Sequence, residues 1–572
     1  MTISSAGKQP GPVRQSGGAV LADMLDGYGV THAFMVPAIL RRTMAELERR
    51  HPQIERVTTH GEKSAAYMAD GYARASGRVG VCLAQVIGAL NLAAGLREPF
   101  LAHSPVLALT GGRLPATKFR QVYQEVDDVP SFEPVTKFNA TIDDVTRIPD
   151  MLRHAFRAAT TGCPGPVHLQ FQGNEGQLDV AEADLEPLVE PQFAQVPPFR
   201  PEPDGAAVAA ALSLLAAAQR PVIVAGGGVR MSRAGAELVA LAEALSIPVA
   251  TSANGKDSIP GTHALSAGVV GSYSRESANQ VVGRADLVFF IGTRTGGMTT
   301  HFWAVPPIGI PAIQADIDPE VLGLNYPLQA AVLGDARQAL RAMLALVLTD
   351  PAPRPARHGW LDEVAALKAQ WAKKYRPVLV SDDVPVRPER ICADLTAYLP
   401  DDAIVLADTG HAGMWMAQFF DVTSPRQDYL RTAGHLGWAF PAGIGAKAGA
   451  PDRPVVVFTG DAGFYYHLGE IETAVRWGLN SVTVVNNNRG GNQSKRGFDR
   501  AYGGETTDGA RKLWTYQDVR FARIAEEMGA LGITVDKSAD FPAALERAIE
   551  SRCPAVIDVR TDIGVVAPLP VT

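Results

Sequence analysis

Two residues 27 positions apart, Asp461 and Asn488, carry the clearest chemistry in this chain. Asp461 lies in Gly460-Asp461-Ala462-Gly463, directly after the apolar run 455–459, and Asn488 closes Asn486-Asn487-Asn488 after a second run, 481–485. A helical pattern over 468–477 separates the two runs, and a strand–helix–strand unit sets both residues at the same edge of adjacent parallel strands. A carboxylate, an amide oxygen and a backbone carbonyl from the following loop suit a hard octahedral cation that also grips phosphate oxygens. The glycines let backbone N–H groups approach a diphosphate, with the positive end of a helix behind them. Gly, Asp and Asn are common turn residues, so Gly-Asp alone decides nothing. The spacing and the setting decide.

A second candidate is Glu62 in Thr59-His60-Gly61-Glu62, where a strand gives way to a helix over 62–76. The helix dipole favours an acidic residue there whatever its role. A third lies mid-chain: Gly226-Gly227-Gly228, Arg230, Arg294 and Asp316-Ile317-Asp318 are the residue types of a nucleotide site. AGGGVRM is not a full GxGxxG, however, and tight turns and surface arginines would look the same.

These candidates need scaffolds, and the chain alternates short apolar runs with helical patterns throughout. Strands are expected at 79–84, 221–225, 247–251, 286–292, 312–316, 403–407, 455–459, 481–486 and 555–559, and a helix at 233–245. Short apolar strands separated by helices imply α/β architecture with doubly wound parallel sheets buried on both faces, whose ligands sit at the carboxyl ends of strands. Two Pro- and charge-rich stretches, 174–205 and 350–388, read as linkers, the second enclosing a helix near 360–375. A length of 572 residues then divides into a flexible arm at 1–18 and three domains at 19–180, 206–349 and 387–572.

Composition narrows the function classes. Hydrophobic residues make up 46% and charged residues 20%, ordinary values for large buried cores. The net charge of −7 comes with no basic stripe, which speaks against nucleic acid. Cys82, Cys163, Cys392 and Cys553 form no CxxC or Cys/His group, so a zinc site is not expected and a reducing compartment is. Residues 1–18 lack the apolar core of a signal peptide, and no stretch reaches the roughly 18 apolar residues of a membrane span. No membrane contact and a cytoplasmic location are the expectation.

With those residues in view, nearly the whole chain resembles the thiamine-diphosphate enzymes of the acetolactate synthase, oxalyl-CoA decarboxylase and 2-hydroxyacyl-CoA lyase superfamily. Their metal motif starts GDG or GDS and ends in NN, and Ala462 here is a small-for-small departure. The resemblance implies pyrimidine-binding, central nucleotide-binding-like and diphosphate-binding domains. It implies Mg²⁺ held by Asp461, the Asn488 side chain and the Gly490 carbonyl. It implies thiamine diphosphate bound by Pro37, Glu62, Thr409, Gly410, His411, Gly434, Leu436, Ala462, Gly463 and Asn488. In that setting Glu62 meets the aminopyrimidine ring and promotes its imino tautomer. Leu436 sits under the cofactor, and Gly434 offers a carbonyl to its amino group. Gln124 in VYQEVDD matches a segment that lines the active site.

Two loops depart from the family pattern. Met35-Val36-Pro37-Ala38 stands where a GVPG-like loop is usual, and Gln85-Val86-Ile87-Gly88 where SGPG is. Both lie near the reactive end of the cofactor in relatives, so the pocket of acetolactate synthase is not expected. The segments GEIETAVRWGL, VVNNN and RGFD look most like 2-hydroxyacyl-CoA lyase, with an actinobacterial short-chain member nearest. That implies cleavage of a 2-hydroxyacyl-CoA to formyl-CoA and an aldehyde or ketone, with Gln493 where a base for the 2-hydroxyl proton is needed. The alternative is a 2-oxoacid decarboxylase or acetolactate-synthase-like carboligase. An acyl-CoA substrate would place ADP in the central domain, with Asp316 and Ile317 at the ribose and Arg230 or Arg294 near phosphates; FAD or no ligand remains open there. The resemblance also implies a homodimer or homotetramer with active sites between subunits. The final residues, 562–572, are expected either to close over the site or to fray.

Overall fold

The computed structural model describes residues 11–349 and 356–570. Two compact units divide it, Met1–Pro198 and Phe199–Thr572. The first holds one six-stranded parallel sheet and the second holds two, as the alternation of apolar runs and helices leads one to expect.

In the first unit the strands run, edge to edge, Glu55–Thr58, His32–Met35, Gly80–Ala84, Val106–Gly111, Val167–Phe171 and Phe138–Ile142. Strand order reverses between His32–Met35 and Gly80–Ala84, which opens the crevice of a doubly wound sheet at residues 36–38 and 85–88. The helix Glu62–Ser76 begins at the expected residue, buries Ser64 to Ala73 without a break, and stops at Gly77, whose φ of +73° suits a glycine.

In the second unit the central sheet runs Ser266–Val269, Val249–Thr251, Pro221–Ala225, Leu287–Ile291, Ala312–Asp316, Ala330–Leu333. The last sheet runs Asp428–Arg431, Ile404–Ala407, Val455–Gly460, Val482–Asn487, Ala555–Arg560, Leu531–Val535, and reverses between its second and third strands. Val456, Val457, Phe458, Val484 and Val485 are fully buried, and each such side chain contributes roughly 1.5–3 kcal/mol. These strands are rigid, and the loops at their carboxyl ends are held in place.

Three expectations are corrected. The stretch 1–18 is not an arm as far as it is described: Val13–Ser16 pairs antiparallel with Glu182–Leu185, and the Ser16 hydroxyl caps the helix Gly17–Gly27 through Ala19 N at 3.2 Å. Residues 1–10 lie outside the described residues. The stretch 174–205 is structured at its start, because the buried Asp179 carboxylate accepts both the N–H and the hydroxyl of Thr43 at 2.9 Å. The helix placed near 360–375 is longer, His358–Leu379, and joins two cores: Trp360 donates to Pro221 O of the central domain at 3.1 Å, while Trp371 and Tyr375 pack on Phe419 of the last. The remainder of that stretch, 350–355, is outside the described residues.

Candidate functional site

At the carboxyl edge of the last sheet the backbone N–H of Gly490 donates to two acceptors at once, Asp461 Oδ2 at 3.0 Å and Asn488 Oδ1 at 3.1 Å. The two side chains that the spacing singled out therefore converge. Both are buried, on the ends of neighbouring parallel strands. Burial pushes the Asp461 carboxyl up to about 6, although N–H groups of Ala462, Gly490 and Arg489 pull the other way. Such a carboxylate has an unmet need for positive charge, which a divalent cation answers. Among the described residues no three His, Cys, Asp or Glu side chains form a metal cluster. A cation at Asp461 would thus draw its other protein ligands from amide and peptide oxygens.

The loop after Asn488 is anchored from behind. Asn488 donates to Asn492 Oδ1, and Asn492 in turn donates to the carbonyls of Ile563 and Val565, both at 2.9 Å. The chain end is therefore packed, with Ala567 buried and Pro568 O accepting from Gln418 at 3.0 Å. Residues 562–570 neither fray nor stand away from the domain; 571–572 are outside the described residues.

A buried carboxylate that sequence reading missed holds the other loops. Asp408 follows the strand Ile404–Ala407 and accepts from Thr409 N at 2.7 Å, from the Thr459 hydroxyl at 2.9 Å and from Gly437 N at 3.1 Å. It ties together Thr409-Gly410-His411, the 434–437 loop and the strand that leads into Asp461. Gly463 packs against this knot, since a β-carbon there would lie 2.7 Å from Asp408 Oδ2. Ala462 is outside that contact and gives its N–H to Asp461 Oδ1 at 2.7 Å, so the departure at 462 costs nothing visible. The only hint in the sequence was an acidic residue directly after a buried strand.

Around this knot stand polar atoms without a partner and an apolar side chain that is partly exposed. Neither ring nitrogen of the buried His411 has a hydrogen-bond partner. Burial, then the charge of Arg496, hold its pKa down near 4, so the ring is a neutral donor and acceptor. Gly410 has φ +67°, and a β-carbon on it would stand 3.1 Å from Gln493 Oε1, which places Gln493 beside the 409–411 turn. Leu436 is 37% exposed on a loop otherwise bound to the core. The residues present thus fit a diphosphate and an apolar ring system.

In the first unit Glu62 opens its helix and accepts from Asn91 Nδ2 at 3.2 Å. Gly88 lies against its carboxylate, so that a β-carbon at 88 would collide with Glu62 Oε1. Pro37 is exposed, and Ala38 beside it has φ +88°. Gln124 also has positive φ, at 63°, and its Oε1 is buried without a partner. Neighbouring Phe119 and Tyr123 are 80% and 82% exposed.

The central-domain candidates separate into two places. Arg230 is paired with Asp257 at 3.0 Å, and Asp257 also accepts Tyr429 N at 3.0 Å, so Arg230 is engaged toward the last domain. Arg294 lies near Asp318 at 3.5 Å, beside Asp316 and Ile317, where burial lifts the Asp316 carboxyl to about 6.

Three segments match known family descriptions: residues 15–131 the N-terminal TPP binding domain of thiamine pyrophosphate enzymes, 208–343 their central domain and 408–559 their C-terminal TPP binding domain. A probable acetolactate synthase large subunit of Methanocaldococcus jannaschii is 33% identical over 531 residues, 90% of this chain and 86% of the relative. The acetolactate synthase large subunit of Corynebacterium glutamicum is 31% identical over 97% of this chain and 88% of its own length. A glyoxylate carboligase of Escherichia coli O157:H7 is 29% identical over 94% of this chain and 91% of its own. No helix among the described residues is long and apolar enough to cross a membrane.

Proposed function

The chain belongs to the thiamine pyrophosphate enzyme family, and on that premise we propose that it is a carboligase of 2-oxoacids, working without CoA. The observation that carries the choice of carboligase is the likeness, over nearly the whole chain, to proteins named for acetolactate synthesis and glyoxylate carboligation; the convergence of Asp461 and Asn488 on Gly490 supports the cofactor site that either reaction needs. The lyase reading rested on short segments within 469–499; the alignable length favours the carboligase.

When bound, thiamine diphosphate supplies a nucleophilic carbon and a sink for the electron pair released when a bond beside a carbonyl breaks. Asp461, the Asn488 side chain and the Gly490 carbonyl would hold Mg²⁺, which would supply positive charge to the diphosphate. Thr409, Gly410, His411 and Gly463 border the phosphates, with Asp408 fixing their loops. Leu436 supports the rings, and Gly434 presents its carbonyl to the amino group. Glu62 holds a proton at the pyrimidine nitrogen, with Asn91 fixing its other oxygen. On this reading Gln493 orients a substrate and need not accept a proton, in keeping with its amide. Gln124 lines the substrate side, and Pro37 stands among the cofactor-binding residues.

Glu62 belongs to the first unit and Asp461 to the second. We assign the complete site to a homodimer or homotetramer, with the exposed Phe119 and Tyr123 inside the assembly. In the central domain Arg294, Asp316 and Ile317 form the better nucleotide candidate, for ADP or FAD, because Arg230 is committed to Asp257.

The deciding experiment incubates the protein, Mg²⁺ and thiamine diphosphate with pyruvate, with glyoxylate and with a 2-hydroxyacyl-CoA, followed by product chromatography. Carbon dioxide release with a 2-hydroxy-3-oxo product is expected from the oxoacids. Formyl-CoA from the thioester, with both oxoacids inert, would replace this reading by the lyase. Light scattering should give a dimer or larger.

A further inference from the structure

Helix Asn492–Ala501 follows the Asn488 loop and carries in its first turn Gln493, whose Oε1 approaches Gly410. Residues three apart on a helix share a face, so Arg496 lies on the face that Gln493 turns toward Gly410 and His411. Among the described residues no hydrogen bond or ion pair engages Arg496, which is half-buried. Lys495, by contrast, is paired with Asp499 at 2.6 Å. His411, next to Gly410 and within reach of the charge of Arg496, is more than nine-tenths buried with both ring nitrogens unpartnered. A guanidinium and an imidazole N–H without acceptors, on two elements that meet, form a seat for an anion.

We propose that Arg496 is the anion-binding side chain of this site, taking a phosphate or carboxylate oxygen alongside His411. Two small-molecule groups have that chemistry: the diphosphate of the cofactor and the carboxylate of a 2-oxoacid. Only the second rests on the carboligase reading. In either role Arg496 adds positive charge near Asp461, Asn488 and Gly490, where Asp461 is the one carboxylate among the proposed metal ligands. Its planar fork suits two oxygens of one anion, which a lysine at the same place meets as a point charge.

The test compares the wild-type protein with Arg496→Gln and Arg496→Lys, first by calorimetric titration with Mg²⁺ and inorganic pyrophosphate, then with thiamine diphosphate, then by kinetics with pyruvate. Thermal unfolding of each variant checks the fold. A loss of about tenfold or more in pyrophosphate affinity in Arg496→Gln, partly restored in Arg496→Lys, assigns the seat to the diphosphate. Unchanged pyrophosphate and cofactor affinity with a KM for pyruvate raised about tenfold and kcat held assigns it to the carboxylate. Arg496-dependent pyrophosphate binding in a protein inert toward oxoacids keeps the seat and removes the carboligase reading. All quantities within about twofold of wild type in a folded Arg496→Gln, or no binding of either anion by the wild type, overturns the proposal.

Discussion

Both carboxylate oxygens of Asp408 stand 3.1 Å from the amide nitrogen of Gly437, 29 residues further along the chain. With Thr409 N and the Thr459 hydroxyl, donors from three segments meet on one buried group. An amide in its place would set an N–H₂ against at least one of those donors. Asp408→Asn should cost about 2 kcal/mol of stability, because a buried donor is left unmet. It should also weaken thiamine diphosphate binding about tenfold, through misplacement of the loops. Chemical denaturation and fluorescence titration of the cofactor measure the two effects. A cofactor affinity equal to wild type would show that the knot serves stability alone.

Gly88 and Glu62 give the corresponding prediction in the first unit. A methyl at 88 would meet the Glu62 carboxylate, so Gly88→Ala should displace it. Turnover is expected to fall by roughly 10–100-fold, in the direction of Glu62→Gln, for which general acid–base catalysis suggests 10²–10⁴-fold. Pyrophosphate affinity should stay within about threefold, since the diphosphate residues belong to the other unit. Steady-state kinetics beside pyrophosphate titration separates these outcomes.

The strands that carry these residues were legible because buried parallel strands must be apolar on both faces, so runs such as 455–459 announce themselves. Asp461 and Asn488 were legible because a run and a spacing fixed them to one sheet edge. Asp408 was not, since donors to it come from residues as far apart as 409, 437 and 459, and no local pattern records that meeting. The strand Val13–Ser16 escaped notice because VRQS and its partner EADL are polar, largely exposed edge segments without apolar alternation. The helical pattern over 468–477 proved to be Glu470–Arg476, preceded by a separate short helix Asp461–Tyr465 directly after the strand. The reaction was hardest to read, because cofactor residues are common to carboligase and lyase and only a few pocket side chains differ.

Asp128 predicts a pH dependence. It is fully buried, neither carboxylate oxygen has a partner, and burial, with Asp127 adding, lifts its pKa to about 6 from an ordinary 3.8. A folded pKa above the unfolded one means that the folded state binds the proton more tightly. Stability from this group is therefore gained as pH falls through 6 toward 4, and lost above 6. Asp128→Asn removes the titration, so its stability relative to wild type should be greater at pH 7.5 than at pH 4 by about 2 kcal/mol. Urea unfolding of both proteins at the two pH values checks it. A difference independent of pH would mean that Asp128 finds a partner in solution.

Ala38 offers the last test, in the loop where the crevice of the first sheet opens. Its φ of +88° lies in the left-handed region, where a β-carbon crowds the backbone and an L-residue sits about 1–2 kcal/mol above glycine. Glycine relieves that crowding but loses more conformational freedom on folding, an opposing effect of roughly 0.5–1 kcal/mol. The net expectation for Ala38→Gly is stabilisation by about 0.5–1 kcal/mol, read as a raised denaturation midpoint with an unchanged slope. Because Pro37, a proposed contact of the cofactor, is exposed beside it, the same variant should weaken thiamine diphosphate binding through a looser loop, read by fluorescence titration of the cofactor. A destabilised Ala38→Gly would mean that contacts of the Ala38 methyl outweigh the strain of its backbone.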